Sequence, residues 1–147
     1  MRYMLMLYAD ETAGAQIPPE QMAKVMKGMH AYQEALTKAG AFIETGALAP
    51  TAGAKVVQVV GGQNRLTDNG FVNEGGSLQV HDGPYAETRE RMGGYFMIEA
   101  PDMEAALDWA GKCPAAQWGP VEVRPLFNLL RQGEPAWCAD GGYATPA

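Results

Sequence analysis

The side chain best suited to acid–base chemistry stands in a short rigid turn near the middle of the chain. Asp82 is followed by Gly83 and Pro84. Glycine reaches backbone angles that other residues avoid and proline fixes the next φ angle, so this turn is stiff. A stiff turn can hold a carboxylate and backbone N–H groups beside a ligand. The alternative is that Asp82 hydrogen-bonds only within its own turn and has a structural role.

The two histidines of the chain, His30 and His81, are the natural proton partners for that carboxylate. His81 directly precedes Asp82 in a predicted strand, where neighbouring side chains point to opposite faces, so these two are not expected to act together. Two pairings stay open: Asp82 with His30, or His81 with a distant carboxylate. His30 lies on the flank of the first predicted helix, where a histidine either reaches a cleft or stays solvated at the surface. The predicted catalytic residues are therefore Asp82, His30 and His81.

Charged and aromatic side chains around this turn and at the strand ends form a predicted ligand-binding set. An arginine in such a set donates paired hydrogen bonds to a carboxylate or a phosphate. Each member also has an ordinary structural explanation, as a surface ion pair, a loop residue or a core aromatic ring. The predicted binding residues are Tyr8, Asp10, Gly83, Tyr85, Glu87, Arg89 and Arg124.

Composition narrows the classes of function. The 147 residues carry 11 Lys and Arg against 17 Asp and Glu, a net charge of −6, which argues against binding to nucleic acid or to an anionic membrane. The two cysteines, Cys113 and Cys138, make neither a disulfide framework nor a zinc cluster, and two histidines exclude a three-histidine metal site within one chain. No phosphate-binding loop or nucleophile elbow is present. We therefore predict a soluble cytoplasmic protein with no metal and no cofactor.

The elements that must position these residues follow from the apolar pattern. Apolar residues recur every three or four positions from Pro19 to about Ala39, which predicts a helix that ends near Gly40. A second helix is predicted to begin after the N-cap Asp102 and to stop at Cys113-Pro114. Residues 10–19 and 85–92 are predicted to be loops. The predicted strands are Arg2–Ala9, Ala41–Leu48, Lys55–Val60, Leu78–His81, Tyr95–Ala100 and Val121–Phe127, with a hairpin turn at Asp68-Asn69-Gly70.

The order of these elements predicts the architecture. It is α+β, a ferredoxin-like split β-α-β arrangement with an extra β-hairpin and flanking strands in the middle connection. Two helices on one sheet face leave the other face open, and a second copy of this short chain is the economical cover. We therefore predict a homodimer packed sheet to sheet through the open sheet face. The domain is predicted to span residues 1–127, followed by an extended tail at residues 128–147.

Five blocks of the sequence occur in an order that is typical of a known family. They are residues 2–9 (RYMLMLYA), 82–90 (DGPYAETRE), 93–96 (GGYF), 105–110 (AALDWA) and 121–125 (VEVRP). Over residues 1–127 the chain resembles the DGPF-type branch of the YCII-related family, although Tyr85 replaces the signature phenylalanine and residues 61–77 make a longer connection.

The resemblance implies a dimeric α/β barrel of ferredoxin-like domains in a mostly uncharacterised family. Some similar proteins are encoded beside extracytoplasmic-function sigma factors, which implies a regulatory or stress setting. A better-studied branch is proposed to use a His–Asp pair in a cleft. By counting back from the glycine after the first helix, that histidine falls on Met29, next to His30.

The combined expectation is a small homodimer that binds a small polar or anionic molecule in a cleft near the Asp82 turn. In an enzymatic version, Asp82 acts as acid, base or orienter and His30 or His81 is its proton partner. The alternative is a non-catalytic interaction or regulatory module linked to a sigma factor. That alternative predicts an exposed apolar patch involving Trp137 and the tail, and no polar cleft. A third alternative, a heme-handling or monooxygenase-like enzyme, rests on fold analogy alone.

Overall fold

A computed structural model describes residues 1–126 of the chain. The chain divides into two compact units. The first, called here the sheet unit, comprises Met1–Leu48 and the segment that begins at Arg89. The second, called the ribbon unit, is Ala49–Thr88. The predicted tail at residues 128–147 lies outside the described residues, together with Trp137 and Cys138.

The described chain forms eight strands and three α-helices. The strands are β1 (Arg2–Asp10), β2 (Phe42–Ala47), β3 (Lys55–Val60), β4 (Gln63–Thr67), β5 (Gly70–Glu74), β6 (Ser77–Asp82), β7 (Glu90–Glu99) and β8 (Val121–Pro125). The helices are α1 (Glu11–Ala15), α2 (Pro19–Lys38) and α3 (Met103–Lys112), with short 3-10 helices at Thr51–Gly53 and Pro114–Gln117. Within residues 1–126, no helix combines the length and the apolar character needed to cross a membrane.

The sheet unit is built on a four-stranded antiparallel sheet in the order β2-β7-β1-β8. Side chains alternate between the two faces of such a sheet. Tyr3 and Leu5 of β1, with Phe96 and Ile98 of β7, are buried in one cluster with residues of α2 and α3. Both long helices therefore cover the same sheet face. This α+β arrangement is consistent with the ferredoxin-like fold expected from the order of elements.

Tyr32 is the aromatic centre of the contact between α2 and the sheet. Its ring meets Phe96 edge-on with the ring centroids 5.1 Å apart. Its hydroxyl donates a 2.9 Å hydrogen bond to the carbonyl oxygen of Trp109 in α3, which satisfies a polar group inside the core. Burial raises the pKa of the Tyr32 phenol well above its ordinary value. The predicted helical stripe of α2 thus forms a core, with Leu36 fully buried one turn later.

The predicted helix ends are confirmed. The Asp102 carboxylate accepts a 2.9 Å hydrogen bond from the N–H of Ala105, so it caps α3. Gly40 follows α2 with φ at +69°, where its N–H donates to the carbonyl oxygen of Thr37 at 3.0 Å. Glycine reaches this left-handed conformation without steric cost, which explains why the helix ends there.

The two predicted loops are partly wrong. Asp10 accepts hydrogen bonds from the N–H groups of Thr12 and Ala13, and this cap allows α1 to form inside the segment predicted as a loop. β7 begins at Glu90, inside the second predicted loop, because residues 90–92 pair with the end of β1. Local sequence does not show such pairing, since the partner strand is about 80 residues away in the chain.

The ribbon unit contains two separate two-stranded antiparallel sheets, β3-β6 and β4-β5. The predicted hairpin turn is confirmed, because β4 and β5 flank it and Gly70 has φ at +102°. No residue of Ala49–Thr88 is buried. The ribbon unit therefore has strands without a core of its own.

Candidate functional site

A cavity of about 350 Å³ opens in the sheet unit between α2 and the sheet. Cavities that bind small molecules usually measure about 300 to 1,000 Å³. The lining residues are Leu7, Met26, Met29, His30, Gln33, Thr45, Gly46, Ala47, Gly93, Gly94 and Phe96. One helix and three strands contribute to this lining, so the cavity is a product of the tertiary fold.

Glycines leave the sheet side of the cavity without bulky side chains. In the pairing of β1 with β7, Leu7 is opposite Gly94 and Tyr8 is opposite Met92, so Gly93 is the extra residue of a β-bulge. Bulges of this kind occur beside binding sites, where they redirect the chain. A Cβ on Gly94 would lie 2.8 Å from the carbonyl oxygen of Gly46, so glycine is required there. This side of the cavity consequently presents backbone groups.

The other walls are mainly apolar with a few polar groups. Leu7, Met26, Met29 and Phe96 supply apolar surface, and His30, Gln33 and Thr45 supply hydrogen-bonding groups. The Thr45 hydroxyl donates to the carbonyl oxygen of Tyr95 at 2.9 Å, which leaves its oxygen able to accept a bond from a ligand. None of the described lining residues is Asp, Glu, Lys or Arg.

His30 is the predicted catalytic residue that lines this cavity. Its side chain is 72% exposed, and Nε2 lies 3.5 Å from Oε1 of Glu34, one helical turn further on. The imidazole therefore stands at the mouth of the cavity beside a carboxylate. Its acid–base role stays a prediction.

The Asp82 turn belongs to the ribbon unit. The Asp82 carboxylate forms an ion pair with Lys55, its register partner across β3 and β6, and is 85% exposed. Gly83 has φ at +93° and donates its N–H to the carbonyl oxygen of Ala54 at 2.8 Å. His81 and Asp82 occupy successive positions of β6 and so face opposite sides.

The other predicted partners of this turn, Tyr85 and Glu87, are exposed. His30 and Asp82 lie in different units, so their pairing remains a prediction.

Asp10 and Arg89, two predicted binding residues, contact each other in the sheet unit. Nε of Arg89 donates to Oδ2 of Asp10 at 3.0 Å, while Oδ1 caps α1. The hydrogen bond from Arg89 and the backbone N–H donors lower the pKa of the Asp10 carboxyl. These contacts give Asp10 and Arg89 a structural task, and neither residue lines the cavity.

Tyr8 and Arg124 lie on the sheet face that α2 and α3 leave uncovered, called here the second sheet face. The Tyr8 hydroxyl donates to Oε2 of Glu122 at 3.3 Å. Burial, reinforced by Glu122 and opposed by Arg124, raises the pKa of Tyr8. On the same face Tyr95 donates to Oε1 of Glu44 at 2.6 Å, and this hydrogen bond raises the pKa of Tyr95.

The sequence matches the YCII-related domain over residues 1–130. This chain belongs to the YCII-related family. The five sequence blocks predicted membership of this family, and that prediction is confirmed. Membership of the DGPF-type branch stays a prediction. An uncharacterised protein of Rhizobium meliloti (strain 1021) is 30% identical over 136 residues, which cover 91% of this chain and 98% of that relative.

Sequence reasoning missed several lining residues of this YCII-related cavity. Gln33 and Thr45 carry no local signal, because their role depends on where α2 crosses the sheet. The Gly93-Gly94 pair did carry one, since glycine inside a strand indicates a bulge or a close approach of backbone. Met29, the position that the family histidine would take by count, lines the cavity beside His30.

Proposed function

We propose that this YCII-related protein binds a small, largely apolar molecule with one hydrogen-bonding group in the cavity of the sheet unit. The supporting observation is the lining, which combines apolar side chains, exposed backbone at the β7 bulge, and the polar groups of His30, Gln33 and Thr45. In known binding sites, apolar walls supply affinity and a few polar groups set the orientation of the ligand. We expect the apolar part of the ligand to contact Met26, Met29 or both, and its polar atom to face His30.

The lining also narrows the ligand class that the sequence suggested. A charged group in this cavity would lose hydration without meeting a described counter-charge, which costs free energy. Arg89 and Arg124, the predicted anion-binding residues, are absent from the described lining. An uncharged alcohol, amide or ketone therefore suits the cavity better than a carboxylate or phosphate.

In an enzymatic version of this function, His30 performs the proton transfer. It is the one described lining residue whose side chain commonly acts as a general acid or base. Oε1 of Glu34 lies 3.5 Å from its Nε2. The role of Asp82 as acid, base or orienter stays a prediction. The variant Asp82→Asn tests this role in the ligand titration described next.

The decisive experiment is a titration of isotope-labelled protein with benzyl alcohol and benzamide as uncharged probes and benzoate as a charged one. We expect saturable shifts of the backbone amide signals of Gly46, Gly93 and Gly94 with the uncharged probes. His30→Gln should weaken binding about threefold to tenfold, the range of one lost hydrogen bond. The matched control is His81→Gln, which changes the other histidine and should leave binding unchanged.

A blocking variant makes this test independent of His30. A Cβ on Gly93 would have no neighbouring atom within 4 Å, so Gly93→Leu adds bulk at the cavity without displacing backbone. We expect it to abolish the probe shifts while leaving the unfolding temperature close to that of the wild type. Probe shifts that survive in Gly93→Leu, or that lie outside the lining, would remove the cavity as the binding site.

We also propose that a second copy of the chain covers the second sheet face. One row across that face reads Glu44, Met97, Met4 and Arg124 from β2 to β8. It has a carboxylate at one edge, apolar side chains at the centre and a guanidinium at the other edge. A two-fold axis parallel to the strands stacks β2 of one protomer on β8 of its partner, so Glu44 meets an arginine of opposite charge.

A charge swap tests this arrangement by sedimentation of the full chain. Glu44→Arg should weaken the dimer about tenfold or more, because it places like charges together at the rim. The double variant Glu44→Arg, Arg124→Glu should restore the dimer. Tyr95→Phe is the control for the lost hydrogen bond between Tyr95 and Glu44, and a double variant as weak as the single one would contradict the arrangement.

The cavity supports ligand binding over the regulatory-module alternative, because His30, Gln33 and Thr45 offer hydrogen-bonding groups among its apolar walls. The other elements of that alternative, a sigma-factor partner and a contact through Trp137, stay predictions. The cytoplasmic location stays a prediction as well.

A further inference from the structure

The direction of hydrogen bonding is fixed at Thr45, on the sheet side of the cavity. Thr45 is opposite Phe96 in the register of β2 and β7, and residues that are opposite each other point to the same side of a sheet. Phe96 belongs to the core cluster that includes residues of α2 and α3. The side chain of Thr45 therefore faces the helices, where it is partly buried among the lining residues.

The hydroxyl proton of Thr45 is already used inside the protein. Oγ1 donates it to the backbone carbonyl oxygen of Tyr95 at 2.9 Å. A threonine hydroxyl has one proton to donate and two lone pairs that accept. Its β-branched side chain also has few χ1 rotamers through which it could turn away from this bond. Toward the cavity, the Thr45 oxygen can therefore only accept a hydrogen bond.

The other polar side chains of the described lining, Gln33 and His30, do not select in this way. The Gln33 amide carries both a donor and an acceptor, and a neutral imidazole does so as well. Either residue can thus bond an alcohol or a ketone. A ligand with an uncharged O–H or N–H group satisfies Thr45, whereas the oxygen of a ketone, ester or ether would bring lone pairs against lone pairs.

We propose that Thr45 makes the cavity selective for hydrogen-bond donors, so that its ligand is an alcohol, a phenol or an amide and not a ketone, ester or ether. This inference rests on the ligand binding proposed above and narrows its ligand class. It is compatible with the expected contact to His30, because an alcohol oxygen that donates its proton to Thr45 keeps lone pairs that can accept a bond.

Two probes of nearly equal shape test the selectivity. Acetophenone and its reduced form, α-methylbenzyl alcohol, have the same heavy atoms, but only the alcohol can donate a hydrogen bond. In the titration of isotope-labelled wild-type protein, the amide shifts of Gly46, Gly93 and Gly94 should give a dissociation constant about fivefold or more lower for the alcohol, because the ketone leaves the Thr45 oxygen without a donor. Equal binding of the two probes would overturn the selectivity while leaving the proposed ligand binding intact.

Matched threonine variants assign the selectivity to Thr45. Thr45→Val removes the hydroxyl and keeps the shape, so it should weaken alcohol binding to about the level of the ketone without weakening ketone binding. Thr45→Ser keeps the hydroxyl and should keep the preference for the alcohol. Thr37→Val is the control, because Thr37 also donates to a backbone carbonyl at 2.9 Å, that of Gln33, but does not line the cavity. It should leave the binding of both probes unchanged.

The outcomes separate this inference from the function on which it rests. A purely structural role of Thr45 would weaken both probes alike in Thr45→Val, and that result would overturn the selectivity. A preference that disappears in His30→Gln but persists in Thr45→Val would overturn it too. Circular dichroism checks the fold, and Thr45→Ala takes the place of Thr45→Val if the valine variant does not fold. Absence of probe shifts at the lining of the wild type would remove the proposed binding and the selectivity together.

Discussion

The sheet unit and the ribbon unit contain similar alternating strands, but only the sheet unit buries its apolar side chains. Leu5, Leu36 and Ile98 of the sheet unit are fully buried. Residues 49–88 contain no buried residue, although Val57, Leu78 and Phe71 are as apolar as any core side chain. The difference is the second layer, since α2 and α3 cover the sheet within the same chain. A strand pattern therefore predicts a face that needs cover but does not say which molecule provides it.

Hydrogen exchange is the largest expected contrast between the units. The amides of β1 and β7 lie in a covered sheet and should open only with global unfolding. The amides of β4 and β5 lie in an exposed hairpin and should exchange at least about a thousandfold faster. Mass-spectrometric or NMR exchange measurements check this, and equal protection of the two regions would show that the ribbon unit has a stable core after all.

Matched leucine truncations come next in size. Leu36→Ala should lower the free energy of unfolding by about 2 to 5 kcal/mol, because it removes a fully buried side chain and leaves a cavity. Leu66→Ala, in the ribbon hairpin, should lower it by less than about 0.5 kcal/mol, since that side chain is largely exposed. Urea unfolding monitored by circular dichroism measures both values. Similar losses would contradict the separation into a packed and an unpacked unit.

Burial of Tyr32 should make the stability of the protein fall at alkaline pH. Burial raises the folded-state pKa of Tyr32, so its stabilising contribution is present below the ordinary tyrosine value and is lost as the pH rises above about 10. Tyr32→Phe should remove that alkaline loss and cost about 1 kcal/mol at pH 7, because the hydrogen bond to Trp109 disappears. Tyr85→Phe, at an exposed ribbon position, is the control for the loss of a phenol hydroxyl and should leave the unfolding temperature at pH 7 unchanged. Thermal unfolding between pH 7 and pH 11 separates these outcomes.

The smallest expected effects concern two exposed aspartate contacts. Asp10→Ala should lower the unfolding temperature by a few degrees, because it removes the cap of α1 and the hydrogen bond from Arg89. The lowered pKa of Asp10 means that its contribution is present near neutral pH and lost as the pH falls below its ordinary range, about 4. Asp10→Asn keeps the cap and should cost less.

Asp82→Asn is the control in the ribbon unit. It breaks only the solvated ion pair with Lys55, so the unfolding temperature should stay unchanged. A larger effect for Asp82→Asn than for Asp10→Ala would indicate that the Asp82 turn is held by more than the contacts seen here. Thermal unfolding at pH 7 and pH 3 measures all three variants.

Prediction from sequence succeeded where short-range chemistry decides the structure. The cap at Asp102, the helix end at Gly40 and the hairpin turn before Gly70 each depend on a few neighbouring residues. It failed at β7, whose first residues pair with the end of β1 far away in the chain. It also missed α1, because Gly14 and the Pro18-Pro19 pair favour a loop over residues 10–19, whereas the Asp10 carboxylate caps a short helix there.

The candidate site was predictable only in part for the same reason. His30 could be placed on the flank of α2 from helical periodicity, and that position is where the cavity opens. Gln33 and Thr45 join it from positions without any pattern. The predicted partner Asp82 lies in the other unit, where its side chain is paired with Lys55.

The sequence by itself determined the strands, the two long helices, the α+β class and membership of the YCII-related family. These depend on local residue patterns and on sequence blocks that can be recognised without knowledge of the fold. Only the tertiary structure decided which strands form a covered sheet and which form a ribbon, and which side chains surround the cavity. These features depend on the strand register, on the bulge at Gly93 and on the crossing of α2 over the sheet. Each of the three results from packing between segments far apart in the chain.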